Sequence, residues 1–301
     1  MQYTIETEQL DFSFGKKTIL HNVELKVPQG SIYGFLGPNG AGKSTTIRLL
    51  LGLLSAQNTH TKLKLFGLNL TENRIEILKR IGALVEMPSL YEHLNARENI
   101  EVTRIWLGNV PKNRIEEVLD IVELTADAHR PVKQYSLGMK QRLGLAISML
   151  ANPELLILDE PTNGLDPAGI KDIRELLVKL NKQEGKTVFV SSHLLAEIEK
   201  MATHVGIIHK GTLHFQGNLH DLHAQQRPYT AFDTNQNDRA LEIIRAQVPE
   251  TMLASPYIHV PTHDKATLHQ LNQTLLQQGL EVYKIQPILS SLEDMFMEIT
   301  I

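Results

Sequence analysis

Over the first two-thirds of the chain, short unbroken apolar runs alternate with longer stretches in which apolar residues return every three or four positions. SIYGFL (31–36), LLILD (155–159) and TVFVSS (187–192) are runs of the first kind. They lack the alternation of a strand with one wet face, so each predicts a strand covered on both faces, as in the middle of a parallel sheet. STTIRLLLGLL (44–54) and a mainly helical insertion over about 88–150 supply helices to cover it. That succession predicts an α/β fold with a parallel-sheet core. VGIIHKGTLHFQG (205–217) reads as a hairpin turning at Lys210-Gly211, which adds an antiparallel part.

The texture changes near residue 223, where Gln, Asn and Thr become frequent. Strands over 229–233, 251–254, 257–260 and 281–286 and helices over 237–247 and 264–278 give the order β-α-β-β-α-β, the pattern of a small ferredoxin-like α+β unit. A closing helix, SLEDMFMEI, starts at Ser291 with a capping-box pattern to Asp294. The expected organisation is two domains, 1–222 and 223–301, the first with a helical subdomain at about 88–150.

Composition narrows the class. The chain has 301 residues, enough for one large domain and a smaller one, with 42% apolar and 21% charged positions. Its longest apolar runs, such as LGLAISMLA (143–151), fall short of the roughly 20 residues that span a bilayer. The amino terminus carries acidic residues and no apolar signal core, so a cytoplasmic location is expected. The absence of cysteine excludes disulfides, thiolate metal sites and cysteine catalysis. A net charge of −4 argues against a broad nucleic-acid surface, and no nucleic-acid partner is expected. His204, His209, His214, His220 and His223 follow one another at spacings of five, five, six and three, which fit no metal-ligand pattern.

The chemistry concentrates where the first apolar strand ends. GPNGAGKST, comprising Gly37, Pro38, Asn39, Gly40, Ala41, Gly42, Lys43, Ser44 and Thr45, matches the phosphate-cradling pattern G-x-x-x-x-G-K-[ST] between a strand and a helix. Glycines let the backbone amides converge on a triphosphate, Lys43 would reach its β and γ phosphates, and the Ser44 hydroxyl would ligate Mg²⁺. LLILDE then brings Asp159 to the sheet edge as a carboxylate for Mg²⁺, with Glu160 beside it to orient or deprotonate the attacking water.

YSLGMKQRLGLA (135–146) resembles the signature segment of the ATP-binding cassette (ABC) family, usually LSGGQ followed by a basic residue and often QR. Leu137 and Met139 stand where the common form has Gly and Gln, a variant found among drug and peptide export cassettes. The resemblance implies that Ser136, Leu137, Gly138 and Met139 face the γ-phosphate held by a second copy of the chain. It also implies that Asp166 of NGLDP belongs to the D-loop, that His193 is the switch histidine on the γ-phosphate, and that Phe14 stacks on adenine, with Phe12 as the competing ring. Glu86 occupies the place of a Mg²⁺-ligating glutamine, and with MPSLYEHLNARENI after it is similar to the cassettes of bacitracin-resistance and lantibiotic self-protection exporters. The resemblance covers residues 1 to about 220. It implies an ATPase, with ATP and Mg²⁺ as ligands, that works as a dimer on a separate transmembrane permease, peripheral to the inner face of the membrane. A non-transport ABC ATPase acting on ribosomes or DNA is the rival reading.

Overall fold

The computed structural model describes residues 2–56, 60–86, 88–221, 229–262, 264–288 and 296. The chain divides into two compact units between Leu219 and His220.

In the first unit, six strands form one sheet in the order Thr212–Asn218, His204–His209, Ile32–Leu36, Thr187–Ser192, Leu155–Asp159, Ile81–Leu84. All neighbours run parallel except the first pair, which is the predicted hairpin. Every residue of the strands at 32–36, 155–159 and 187–192 is buried, as their unbroken apolar runs require. A second, antiparallel sheet orders Lys26–Pro28, Tyr3–Glu8, Lys62–Leu65 and Leu68–Asn69, and a ribbon joins Leu10–Phe14 to Lys17–Val23. Ile5, Leu10 and Leu65 from this antiparallel part share a core with Phe35 and Phe189 of the parallel sheet and with Ile47 and Leu50 of the helix Lys43–Leu50. That helix is thus held between layers, which fixes the loop in front of it.

The insertion contains three α-helices, Ala96–Leu107, Arg114–Ile121 and Leu137–Ser148, and a short 3-10 turn at Val132–Gln134. Asn95 and Glu98 close a reciprocal capping box on the first, and Trp106, near its other end, is 86% exposed. The hairpin turn takes positive φ at both central residues, Lys210 (47°) and Gly211 (79°), the geometry that matches strand twist. A Cβ on Gly211 would lie 2.1 Å from the carbonyl oxygen of Ile19, so only glycine fits. Its N–H donates to Ala41 O at 3.0 Å and its carbonyl accepts from His21 N at 2.8 Å, which ties the hairpin to the glycine-rich loop.

The second unit is an antiparallel sheet in the order Met252–Ala254, Tyr257–Val260, Tyr229–Thr234, Val282–Ile288, with helices Asn237–Arg245 and Lys265–Gln277. Phe232, Ile258 and Val260 from the sheet meet Ile244, Leu271 and Leu275 from the helices in a core of its own. The helix expected from Ser291 lies outside the described residues apart from Phe296. Among the described residues, no helix is long and apolar enough to cross a membrane.

Candidate nucleotide site

The loop at 37–42 leaves the strand Ile32–Leu36 and enters the helix Lys43–Leu50 through Gly42, whose φ of 110° excludes other residue types. No side chain caps this helix and no acidic residue sits in its first turn, so its N-terminal amides and positive dipole end remain for an anion. The glycines serve different ends. A Cβ on Gly37 would strike Ile208 O at 2.4 Å, so that glycine lets the loop lie against the neighbouring strand. Gly40 faces open space but has φ of 81°. A hollow of about 360 Å³ lies over the loop, lined among others by Gly40, Lys43, Ser44, Thr45 and Glu160.

Lys43 is buried to 6% exposure, and its ammonium donates to Gly37 O at 2.7 Å and Pro38 O at 3.3 Å. It also pairs with Glu160 Oε1 at 3.1 Å, an attraction of about 5 kcal/mol at an effective dielectric of about 20 before desolvation is subtracted. The other oxygen of Glu160 meets His193 Nδ1 at 2.5 Å. Glu160 therefore joins the first loop to the end of the strand Thr187–Ser192. Its φ of 50° turns the chain out of the strand direction immediately after Asp159. Asp159 is 4% exposed and accepts a hydrogen bond from Ser191 Oγ at 2.5 Å.

Glu86 stands elsewhere. Its carboxylate accepts from the guanidinium of Arg48, on the helix behind the loop, and its side chain is 64% exposed. The described residues contain no group of three His, Cys, Asp or Glu side chains able to hold a metal ion, the histidines at 204, 209, 214 and 220 included, while His223 lies outside the described residues. One hydroxyl at Ser44 and one carboxylate at Asp159 nevertheless suit Mg²⁺, which takes one or two protein ligands and fills its octahedron with phosphate oxygens and water. Phe12 is buried in the core, whereas Phe14 packs edge-on against it at 4.9 Å and is 52% exposed. Of these two rings Phe14 is the one a base can reach.

Ser136 caps the helix Leu137–Ser148 by accepting from Met139 N at 3.2 Å, and Asp166 caps Pro167–Glu184 by accepting from Gly169 N at 3.1 Å. The two helix starts touch, since a Cβ on Gly164 would come within 2.9 Å of Leu137 Cδ2. Neither Ser136, Gly138 nor Asp166 lines the hollow over the glycine-rich loop.

The family profile described as ABC transporter matches residues 20–163. The chain is 42% identical to the bacitracin transport ATP-binding protein BcrA of Bacillus licheniformis, over 99% of this chain and 98% of that protein. This chain belongs to the ABC transporter family. The chain is also 45% identical to the lantibiotic transport ATP-binding protein SrtF of Streptococcus pyogenes, over 69% of this chain and 88% of that protein. Among solved structures it resembles an ATP-binding subunit of an ABC transporter, with a TM-score of 0.65 at 28% identity over 74% of this chain and 92% of that one. A dimeric ATP-binding cassette bound to ADP and Pi in a post-hydrolysis state gives 0.63 at 26% identity, over 71% and 98%. The cassette is accordingly an ATP-binding, ATP-hydrolysing subunit of a transporter, and its fold is that of the P-loop ATPases.

Two residues of the site lie outside the motifs, and a third lies in a motif without a role of its own. Lys17, Ile19 and Asn163 also line the hollow; the first two lie on the strand Lys17–Val23, which pairs with Leu10–Phe14 and comes beside the loop only through the fold. Asn163 begins NGLDP, a motif whose resemblance assigns a role to Asp166 alone.

Proposed function

We propose that the cassette acts in pairs, each copy holding ATP in its own glycine-rich hollow and receiving the signature start of the other copy over the γ-phosphate. The carrying observation is spatial: Lys43 and Glu160 line the hollow and Glu160 bonds His193, while Ser136 and Gly138 of the same chain neither line it nor bond these residues. A second molecule supplies what one lacks.

A γ-phosphate competes with Glu160 for the Lys43 ammonium. Once Lys43 turns to the phosphate, the Glu160 carboxylate accepts a proton from a water aligned for attack, with His193 keeping its second oxygen in place. Phe14 stacks on the adenine. Ser44 and Asp159 are the residues that would hold Mg²⁺, which supplies charge neutralisation at the phosphate oxygens when bound. Glu86 is the third candidate for that ion.

Unit 1 is read as the nucleotide-binding domain and unit 2 as an accessory domain. The cassette powers a separate membrane permease from the cytoplasmic face, and the likeness to BcrA and SrtF over most of the chain points to peptide antibiotics as cargo for export. Glu160→Gln tests the core of this reading. The variant should bind ATP as before, run as a dimer in ATP on size exclusion, and turn over about a hundredfold more slowly or less. Turnover at the parent rate removes Glu160 from the chemistry.

A further inference from the structure

Ser191 belongs to none of the motifs, yet it touches both acidic residues of the site. It lies in the strand Thr187–Ser192 directly opposite Asp159 in the parallel ladder, and it is wholly buried. Its hydroxyl proton goes to Asp159 Oδ1 at 2.5 Å. Its oxygen accepts the backbone N–H of Glu160 at 3.0 Å, and the same N–H also reaches the carbonyl of Ser191 at 3.3 Å. One small group thus donates to a carboxylate and accepts from an amide, which among uncharged side chains of that size only a hydroxyl can do.

The consequences for the two acids differ. At Asp159 the bond occupies one oxygen, and among the described residues nothing bonds Oδ2, so Ser191 decides which oxygen is left for a ligand. At Glu160 the bond holds the residue in a backbone conformation, φ of 50°, that a side-chain-bearing residue enters only when its surroundings impose it. That turn carries the carboxylate from the strand end to Lys43 and His193. We propose that Ser191 is a positioning residue for hydrolysis, which sets the rotamer of Asp159 and the aim of Glu160 together. The proposal rests on the roles given to those two residues above.

Thr and Val differ here in the hydroxyl alone and both suit a strand, so Ser191→Thr and Ser191→Val in the full chain form the test, with Ser191→Ala as a smaller companion. ATP turnover is measured with its kcat and KM, beside the affinity for a fluorescent ATP analogue and the Mg²⁺ concentration that gives half of the thermal stabilisation by ATP. The Val variant should have a kcat lower than the Thr variant by about tenfold or more, as misaimed catalytic groups cost, with analogue affinity unchanged and a higher Mg²⁺ requirement. A smaller gap in kcat, or a gap matched by an equal loss of nucleotide affinity, overturns the proposal. Glu160→Gln runs in parallel: if it hydrolyses at the parent rate, the reading of Glu160 fails, whereas an inactive Glu160→Gln beside a fully active Ser191→Val refutes the role of Ser191 alone.

Discussion

A carboxylate shared between an ammonium and an imidazole is the residue-scale heart of this cassette, and its neighbours differ in how much of their role is structural. Gly138 illustrates the separation. A Cβ there would meet nothing nearer than 3.8 Å, and the position is helical. Gly138→Ala should therefore leave stability unchanged or raise it by up to about 1 kcal/mol, while the role proposed for this backbone at a partner's phosphate predicts that turnover falls. Denaturant unfolding beside an ATPase assay checks both halves. Glu86 is the opposite case, because its bond to Arg48 joins side chains 38% and 64% exposed. Such a pair contributes about 0–1 kcal/mol, so Glu86→Gln should hardly move the melting temperature. If Glu86 reaches the metal when ATP binds, the same change lowers or raises the Mg²⁺ needed for turnover; an unaltered Mg²⁺ titration reduces Glu86 to a surface charge. The departure from glutamine is visible in the sequence, but Arg48 as its companion is not, because the two sit 38 positions apart and meet only through packing.

At the scale of elements, the helices that start at Leu137 and Pro167 are fastened at two levels. Leu137 packs on Gly164 at their starts, and further along Arg142 donates to Asp172, to Glu123 Oε2 at 3.0 Å and to Val122 O at 3.2 Å. Leu137, which departs from the family's glycine, thus has a packing partner that glycine would not reach. Arg142→Ala should cost about 1 kcal/mol in unfolding free energy, since its ion partners are largely exposed and the carbonyl bond is the better-protected part. A second tie lies at the sheet edge, where Arg80 donates to both oxygens of Glu154 at 2.7 and 2.8 Å. The guanidinium holds that carboxyl below its ordinary value of 4.5, against the opposing effect of burial. Because the group titrates lower when folded, its contribution is complete above the ordinary value and disappears as pH falls through the folded one. Stability of Arg80→Gln, followed by circular dichroism, should consequently fall less steeply than the parent's on acidification below pH 4.5. The central strands were legible because both of their faces are covered, which leaves an unbroken apolar run. The two-residue strand Leu68–Asn69 carries too few positions for any periodicity.

For the molecule as a whole, two separate cores predict two separable units. A chain ending at Leu219 keeps the complete parallel sheet, the glycine-rich loop and the signature helix, and should bind ATP within about threefold of the full chain. Loss of binding would mean that the smaller unit supports the nucleotide hollow. The order of elements in the smaller unit and the central strands of the larger one are read from periodicity and turn residues, whereas the antiparallel strands of the larger unit, such as Tyr3–Glu8 and Lys62–Leu65, are not. Motifs and resemblance bring Lys43, Glu160 and His193 to one phosphate, but not Ser191, whose place beside Asp159 depends on the pairing of two strands far apart in the chain. Trp106 gives the molecule a further property. It is the sole tryptophan of the chain, it lies almost fully in water, and it sits on the helical insertion rather than beside the nucleotide hollow. Its fluorescence is therefore a built-in optical reporter for that one helix end, red-shifted and open to iodide quenching in the cassette alone, and any protein that seats over the insertion will announce itself by a blue shift without a dye or an engineered label.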